Sequence, residues 1–280
     1  MRVAVCGAYA GGLQALRAVS QSGCEITLVA TPQGQMEQFA RKLGARIVPA
    51  SEVKNTSFAK ELRSSRTDLL ISAQLPFLVC REALEAPRIG SFNLHPSLLP
   101  KYAGLHPTSW AIYRGEKEHG VTLHWMTSDV DAGPIIFQKA VRISETDTPP
   151  ILLRKCFQAG MPLVSELIGT AANGDVIPRI LQDLSHREYF GKEPPADGQI
   201  DWSRPAREIV NLARAFDYRP FASPWGYLMT EVLGSKIAVL KVDDSGAQAK
   251  AAPGTAVGDW ESGLRIAASD HWVLITEYLK

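Results

Sequence analysis

Short apolar strands alternating with helical stretches fill the first half of this chain, and no other feature restricts its fold so strongly. RVAVCG, EITLVA, ARIVPA, DLLISAQ and GSFNLH read as strands, separated by the helix-like GLQALRAVSQSG, GQMEQFARKLG, TSFAKELRSS and VCREALEAP. Gly23 and Gly44 stand just past the first two helices, where a left-handed residue ends a helix at little cost. Asn55 or Thr56 can cap the third. Apolar strands of this length, each followed by a helix, imply a parallel sheet covered on both faces.

The pattern then changes. TSWAIYRG reads as a short helix, and GVTLHWM and PIIFQKAVRI as two strands joined by the loop SDVDAGP. DTPPILLRKCFQAG opens a helix with Thr148 as its cap and Pro149 in its first turn, and Pro162 predicts a kink or a restart. The polar stretch HREYFGKEPPADGQ marks a boundary near residue 195, which divides the chain into domains at 1–190 and 196–280. Beyond it, SRPAREIVNLARAFD is an amphipathic helix whose buried face carries Ile209, Leu212, Ala213 and Phe216. WGYLMTEVLG, SKIAVLKVDD, GLRIAAS and HWVLITEYL follow as short strands, the pattern of a small β-barrel.

Composition narrows the partners. The 280 residues carry a formal net charge of +1, so no global pull toward nucleic acid or an acidic membrane exists. No segment approaches membrane-spanning length. The four cysteines lie far apart with no metal-ligand spacing, which predicts reduced thiols in a cytoplasmic protein and no metal site.

Three places carry chemistry. The turn CGAYAGGL, between the first strand and helix, suits an anion or a substrate group, or serves only as a tight turn. Its spacing is not G-x-G-x-x-G and the second strand ends without an acidic residue, which disfavours a dinucleotide dehydrogenase. Asn93 and His95 close the strand GSFNLH at its carboxyl end, where open parallel sheets place their ligands, and Pro96 and Pro100 stiffen the loop that follows. Asp131 lies in SDVDAGP beside Asp129, in what is by default a solvated turn. Together an imidazole to take a proton, a carboxylate to orient it and an amide to meet an oxyanion make a usable set.

N-L-H-P-S-L-L-P-K-Y-A-G, followed by H-G-V-T-L-H-W-M-T-S-D-V-D-A-G-P-I-I, resembles the folate-dependent formyltransferase family. DGQIDWSRPAREIVNLARAF and the closing PGTAVGD…GLRIAASDHWVLITEYL are similar to that family's C-terminal OB-like domain. The resemblance implies a Rossmann-like α/β catalytic domain with a mostly parallel sheet, plus the OB-like domain. It implies an enzyme of class EC 2.1.2.- that moves the formyl group of 10-formyltetrahydrofolate to a primary amine without a metal. Asn93, His95 and Asp131 then match the family's catalytic residues, and the pterin is expected between Leu75, Phe77, Leu78 and Val79 on one loop and Met126, Asp129 and Val130 on the other.

The acceptor is expected to be a small molecule, such as an amino-sugar nucleotide, or a carrier-tethered amine, with Tyr9, Gly11, Tyr102, Gly104 and His106 on its side of the site. His106 can instead simply cap the helix TSWAIYRG. A methionyl-tRNA formyltransferase is a weaker reading. The segment after the second strand lacks a Lys/Arg cluster, and acidic residues slightly outnumber basic ones beyond residue 196. Hydrolysis of 10-formyltetrahydrofolate by the same three residues is another alternative. A homodimer is left open.

Overall fold

A computed structural model describes residues 1–260 and 263–280. The chain forms two compact units, one of Met1–Gly104, His119–Val141 and Arg154–Tyr189, the other of Leu105–Glu118, Arg142–Leu153 and Phe190–Lys280.

The first half runs β1 (Arg2–Gly7), α1 (Tyr9–Gln21), β2 (Glu25–Thr31), α2 (Gln35–Lys42), β3 (Ile47–Pro49), α3 (Thr56–Ser64), β4 (Leu69–Ala73), α4 (Arg81–Leu84) and β5 (Gly90–His95). Then come β6 (Ala103–Gly104), α5 (Pro107–Tyr113), β7 (Glu118–Trp125), β8 (Ile135–Arg142) and α6 (Pro149–Asn173). A seven-stranded sheet has the order β3-β2-β1-β4-β5-β7-β8. Its first five strands are parallel and β7 runs antiparallel to β5. Every residue of β4 is buried, as a strand covered on both faces requires.

Strand order reverses between β1 and β4, so a crevice opens at the carboxyl ends of those two strands. The glycine turn beside it is packed by protein. A Cβ on Gly11 would stand 2.6 Å from the Phe157 ring, and one on Gly12 would stand 2.7 Å from the Met36 sulfur. Helix α6 runs through Pro162 as a single element, so it does not restart there. Buried Cys156, Phe157, Leu163, Val164 and Leu167 lie on both sides of the proline, and their packing outweighs the roughly 3 kcal/mol that an interior proline costs.

The second unit carries α7 (Ala206–Phe216) and an antiparallel sheet of β10 (Leu228–Val232), β11 (Ser235–Gln248), β12 (Ala256–Asp259), β13 (Gly263–Ala267) and β14 (His271–Leu279); β9 (Tyr189–Phe190) precedes them. The sheet order is β10-β11-β14-β13-β12, curled into a half-barrel. Ile209, Leu212, Ala213 and Phe216 sit in one core with Leu228, Ile237, Val239, Val273 and Ile275.

Candidate active site

Strand pairing alone brings four polar side chains, Asn93, His95, Thr122 and His124, to one face. The parallel register Ser72↔Asn93 and Ala73↔Leu94 sets the end of β5, and the antiparallel register sets Asn93 against His124 and His95 against Thr122. Asn93 and His95, two apart on a strand, share a face.

The chain after β5 is laced back onto the sheet. The Thr122 hydroxyl donates to the Ser97 carbonyl at 2.6 Å and accepts from the Leu99 N–H at 3.1 Å. Gln138 donates to the Leu99 carbonyl and to Thr122, both at 2.9 Å, and Ser97 Oγ donates to the Lys101 carbonyl at 2.8 Å. His119 donates from Nε2 to the Pro96 carbonyl at 2.7 Å. Its burial pulls the imidazole down to about 4, only partly offset by that hydrogen bond, and the neighbouring His95 imidazole adds to the lowering.

This lacing delivers the Tyr102 carbonyl to Nε2 of His95 at 2.9 Å. A carbonyl only accepts, so Nε2 carries a proton and Nδ1 is the nitrogen left for chemistry. Nδ1 lies 3.4 Å from Oδ2 of Asp131.

Asp131 arrives from the loop between β7 and β8, in the left-handed region at φ 52°. Gln182 Nε2 clamps the loop by donating to the Asp131 carbonyl at 2.9 Å and the Gly133 carbonyl at 2.7 Å, and Arg187 donates to the Val130 carbonyl at 2.6 Å. A side chain on Gly133 would run into the Trp125 carbonyl oxygen. The Gly104 N–H donates to Oδ2 of Asp131 at 2.9 Å. Burial alone would raise this carboxyl. The two imidazoles beside it, His95 and His124, and the Gly104 N–H together outweigh it, and Asp131 is held well below the usual carboxylate range.

Asn93 closes the group. Its Nδ2 lies 3.2 Å from Nε2 of His124 and 3.4 Å from Oδ1 of Asp131. His124 donates from Nδ1 to the Trp125 carbonyl at 2.8 Å, so its Nε2 is the accepting nitrogen for Asn93. Both amide protons of Asn93 are thus engaged, and an oxygen entering the site can take over one of them. Nothing in the sequence singles out His124; inside the alternation VTLHW it reads as one more inward-facing strand residue.

The other expected residues fall in several places. Tyr102 is 4% exposed, stacks edge-on with His119, and serves the site through its carbonyl. Gly104 serves through the N–H given to Asp131. Tyr9 is 69% exposed at the start of α1, and the Gly11 N–H is taken by Gln74 Oε1 at 3.0 Å. Leu75, Phe77 and Val79 pack on the core cluster of β1, β2 and α3, and Leu78 is exposed. Phe77 also lines an open cleft of about 860 Å³ with Pro32, Ile47 and Pro49. Met126 donates its N–H to the Ser91 carbonyl at 2.8 Å, Val130 is half-buried, and Asp129 is exposed. His106 belongs to the second unit, where its ring meets Trp225 at 4.9 Å; it occupies the cap position of α5 without a side-chain capping bond.

An imidazole with one free nitrogen, an ionised carboxylate and an amide converge on one point, which suits proton transfer beside a carbonyl carbon. A sequence profile for "Formyl transferase" matches residues 14–167, and one for "Formyl transferase, C-terminal domain" matches 193–279. The chain belongs to the formyl transferase family.

Solved structures resemble this formyltransferase along nearly its whole length. An N-formyltransferase from Helicobacter canadensis, in complex with folinic acid and dTDP-3-aminofucose, is 18% identical with a TM-score of 0.72, covering 98% of each chain. WlaRD, a sugar 3N-formyl transferase, is 20% identical with a TM-score of 0.70, covering 100% of this chain and 98% of its own. At these identities the likeness establishes the fold. Glycinamide ribonucleotide transformylase 1 from Symbiobacterium toebii is 28% identical with a TM-score of 0.57, covering 65% of this formyltransferase and 93% of its own chain.

Proposed function

We propose that this enzyme transfers the formyl group of 10-formyltetrahydrofolate to a primary amine on a small molecule, foremost an amino-sugar nucleotide, or on a carrier. The observation that carries this is the meeting of Asn93, His95 and Asp131 around one point. The relatives support the two substrates. One solved structure holds folinic acid with dTDP-3-aminofucose, and another was determined with dTDP and 5-N-formyl-THF. The catalytic domain is taken as 1–190 and the C-terminal domain as 196–280.

The neutral amine attacks the formyl carbon, a C–N bond forms, and the carbonyl electrons move onto oxygen. Asn93 turns one amide proton from Asp131 or His124 to that oxygen; removing such a donor typically costs ~3 kcal/mol of transition-state stabilisation. Nδ1 of His95 takes the proton released by the amine, with Asp131 balancing the imidazolium charge. The intermediate collapses as the bond to N10 of the folate breaks, and His95 returns a proton to that nitrogen. Leu75, Phe77, Leu78 and Val79 flank the pterin from one side, with Met126, Asp129 and Val130 on the other. Tyr9, Gly11, Tyr102, Gly104 and His106 are kept as acceptor-side residues.

The test is an amine screen with 10-formyltetrahydrofolate, following tetrahydrofolate production. dTDP-amino sugars, hydroxyornithine, aminoacyl-carrier proteins and charged initiator tRNA are compared, with free formate measured in parallel. Turnover that depends on an added small or carrier-bound amine supports the proposal. Formate release at the same rate without amine replaces it by hydrolysis, and turnover with tRNA alone replaces the acceptor.

A further inference from the structure

We infer that Gln74 determines acceptor specificity by donating its side-chain amide to an oxygen, chiefly a hydroxyl, that neighbours the acceptor's amine. The inference rests on the proposed formyl transfer and goes beyond it by assigning the residue that reads the acceptor.

β4 ends at Ala73, which pairs with Gly7 of β1 on one side and with Leu94 of β5 on the other. Gln74 is therefore the next residue out at the carboxyl edge, one strand from His95, or ~4.8 Å between neighbouring strands. It stands where the strand order reverses, at the mouth of the crevice. Its backbone is left-handed at φ 54°, a conformation a non-glycine residue holds only when its surroundings impose it.

Half of the Gln74 side chain is unused by the protein. Oε1 accepts from the Gly11 N–H at 3.0 Å, and this fixes the amide orientation, because only the oxygen can face an N–H. Nε2 then carries two donors. Among the described residues it has no protein partner, and it is not among the buried polar atoms left unsatisfied, so it is accessible to a ligand.

The residue type also matters. Gly11 is in the first turn of α1, whose N-cap residue, Ala8, makes no side-chain cap. For capping alone, a carboxylate would serve better, because it accepts from the same N–H and complements the positive end of the helix. A glutamine gives up that charge and supplies donors instead. Donors beside a formyl-accepting amine match an oxygen on the neighbouring carbon, the pattern of an amino sugar, and a site built for that hydroxyl penalises an acceptor without it.

The experiment uses the full chain with 10-formyltetrahydrofolate and two acceptors: dTDP-3-aminofucose, and its analogue in which hydrogen replaces the hydroxyls flanking the amine-bearing carbon. Wild-type protein, Gln74→Glu and Gln74→Ala are compared by KM, kcat and melting temperature. The expected result is a wild-type preference for the hydroxyl-bearing acceptor of about tenfold or more in kcat/KM. Gln74→Glu should melt at or above the wild-type temperature yet raise KM for that acceptor about tenfold, and both variants should lose the preference. A purely structural cap predicts that Gln74→Glu leaves acceptor KM unchanged, and that outcome overturns the inference. Retained preference in Gln74→Ala also overturns it. Failure of the wild type to formylate either sugar removes the acceptor reading itself, a result separable from a Gln74 effect.

Discussion

Asn93 faces His124 directly across the β5–β7 pairing, and the amide nitrogen of one lies 3.2 Å from the accepting ring nitrogen of the other. His124 thereby holds the Asn93 amide in the plane where it also meets Asp131. Replacing His124 by alanine leaves the amide to rotate. The expected loss in kcat is about tenfold, smaller than the roughly 10²- to 10³-fold loss for Asn93→Ala, in which the oxyanion donor itself is gone. Steady-state kinetics of both variants checks the ranking. A loss in His124→Ala as large as in Asn93→Ala would give His124 a direct part in the chemistry.

Asp131 and Asp129 share a loop but not a role. Asp131→Asn should lower turnover strongly while Asp129→Asn stays close to wild type, because only the first touches His95 and Asn93. The depressed Asp131 carboxyl also fixes a sign in stability. Its contribution is whole above the unfolded value of about 3.9 and is lost as pH falls toward the lower folded value. Denaturant titrations should show Asp131→Asn less stable than wild type at pH 7, with the gap narrowing below about pH 4.

His119 imposes a pH dependence at higher pH. Its imidazole titrates at about 4 in the folded chain against about 6.5 when unfolded. The folded state therefore binds fewer protons across that window, so stability is full above pH 6.5 and falls as pH drops toward 4. The loss is on the order of 3 kcal/mol. His119→Gln, which has no titrating group, should flatten the stability profile between pH 6.5 and 4; an unchanged profile would assign the slope to other groups.

Gly133 tests the clamp on the aspartate loop. A methyl group there meets the Trp125 carbonyl, so Gly133→Ala must displace the segment that Gln182 holds. The expected cost is about 1–3 kcal/mol, with turnover reduced more than tenfold because Asp131 moves with the loop. Thermal melts and kcat together check it.

The sequence shows the α/β fold plainly because strand and helix periods alternate in segments of ordinary length, and it shows Asn93 and His95 because prolines set off the loop behind them. The helical face of Ile209, Leu212, Ala213 and Phe216 follows from spacing alone, and all four are buried. What is hidden depends on long-range contacts. His124 is chosen by register with β5, and Gln74 by a bond to a residue 63 positions away. Helix α6 survives Pro162 because the flanking apolar residues are buried, which no local propensity reveals. Segments 105–118 and 142–153 join the second unit through contacts such as those of Arg214 with the carbonyls of Ser144 and Glu145, also far apart in the chain.

The central claim is that His95, with Nε2 tied to Tyr102, carries the proton for formyl transfer at Nδ1. Single-turnover transfer from 10-formyltetrahydrofolate to the best amine, measured for His95→Ala with folate binding monitored alongside, tests it most directly. The variant should fold and bind folate while its transfer rate falls at least about 10²-fold. Transfer at the wild-type rate would contradict it.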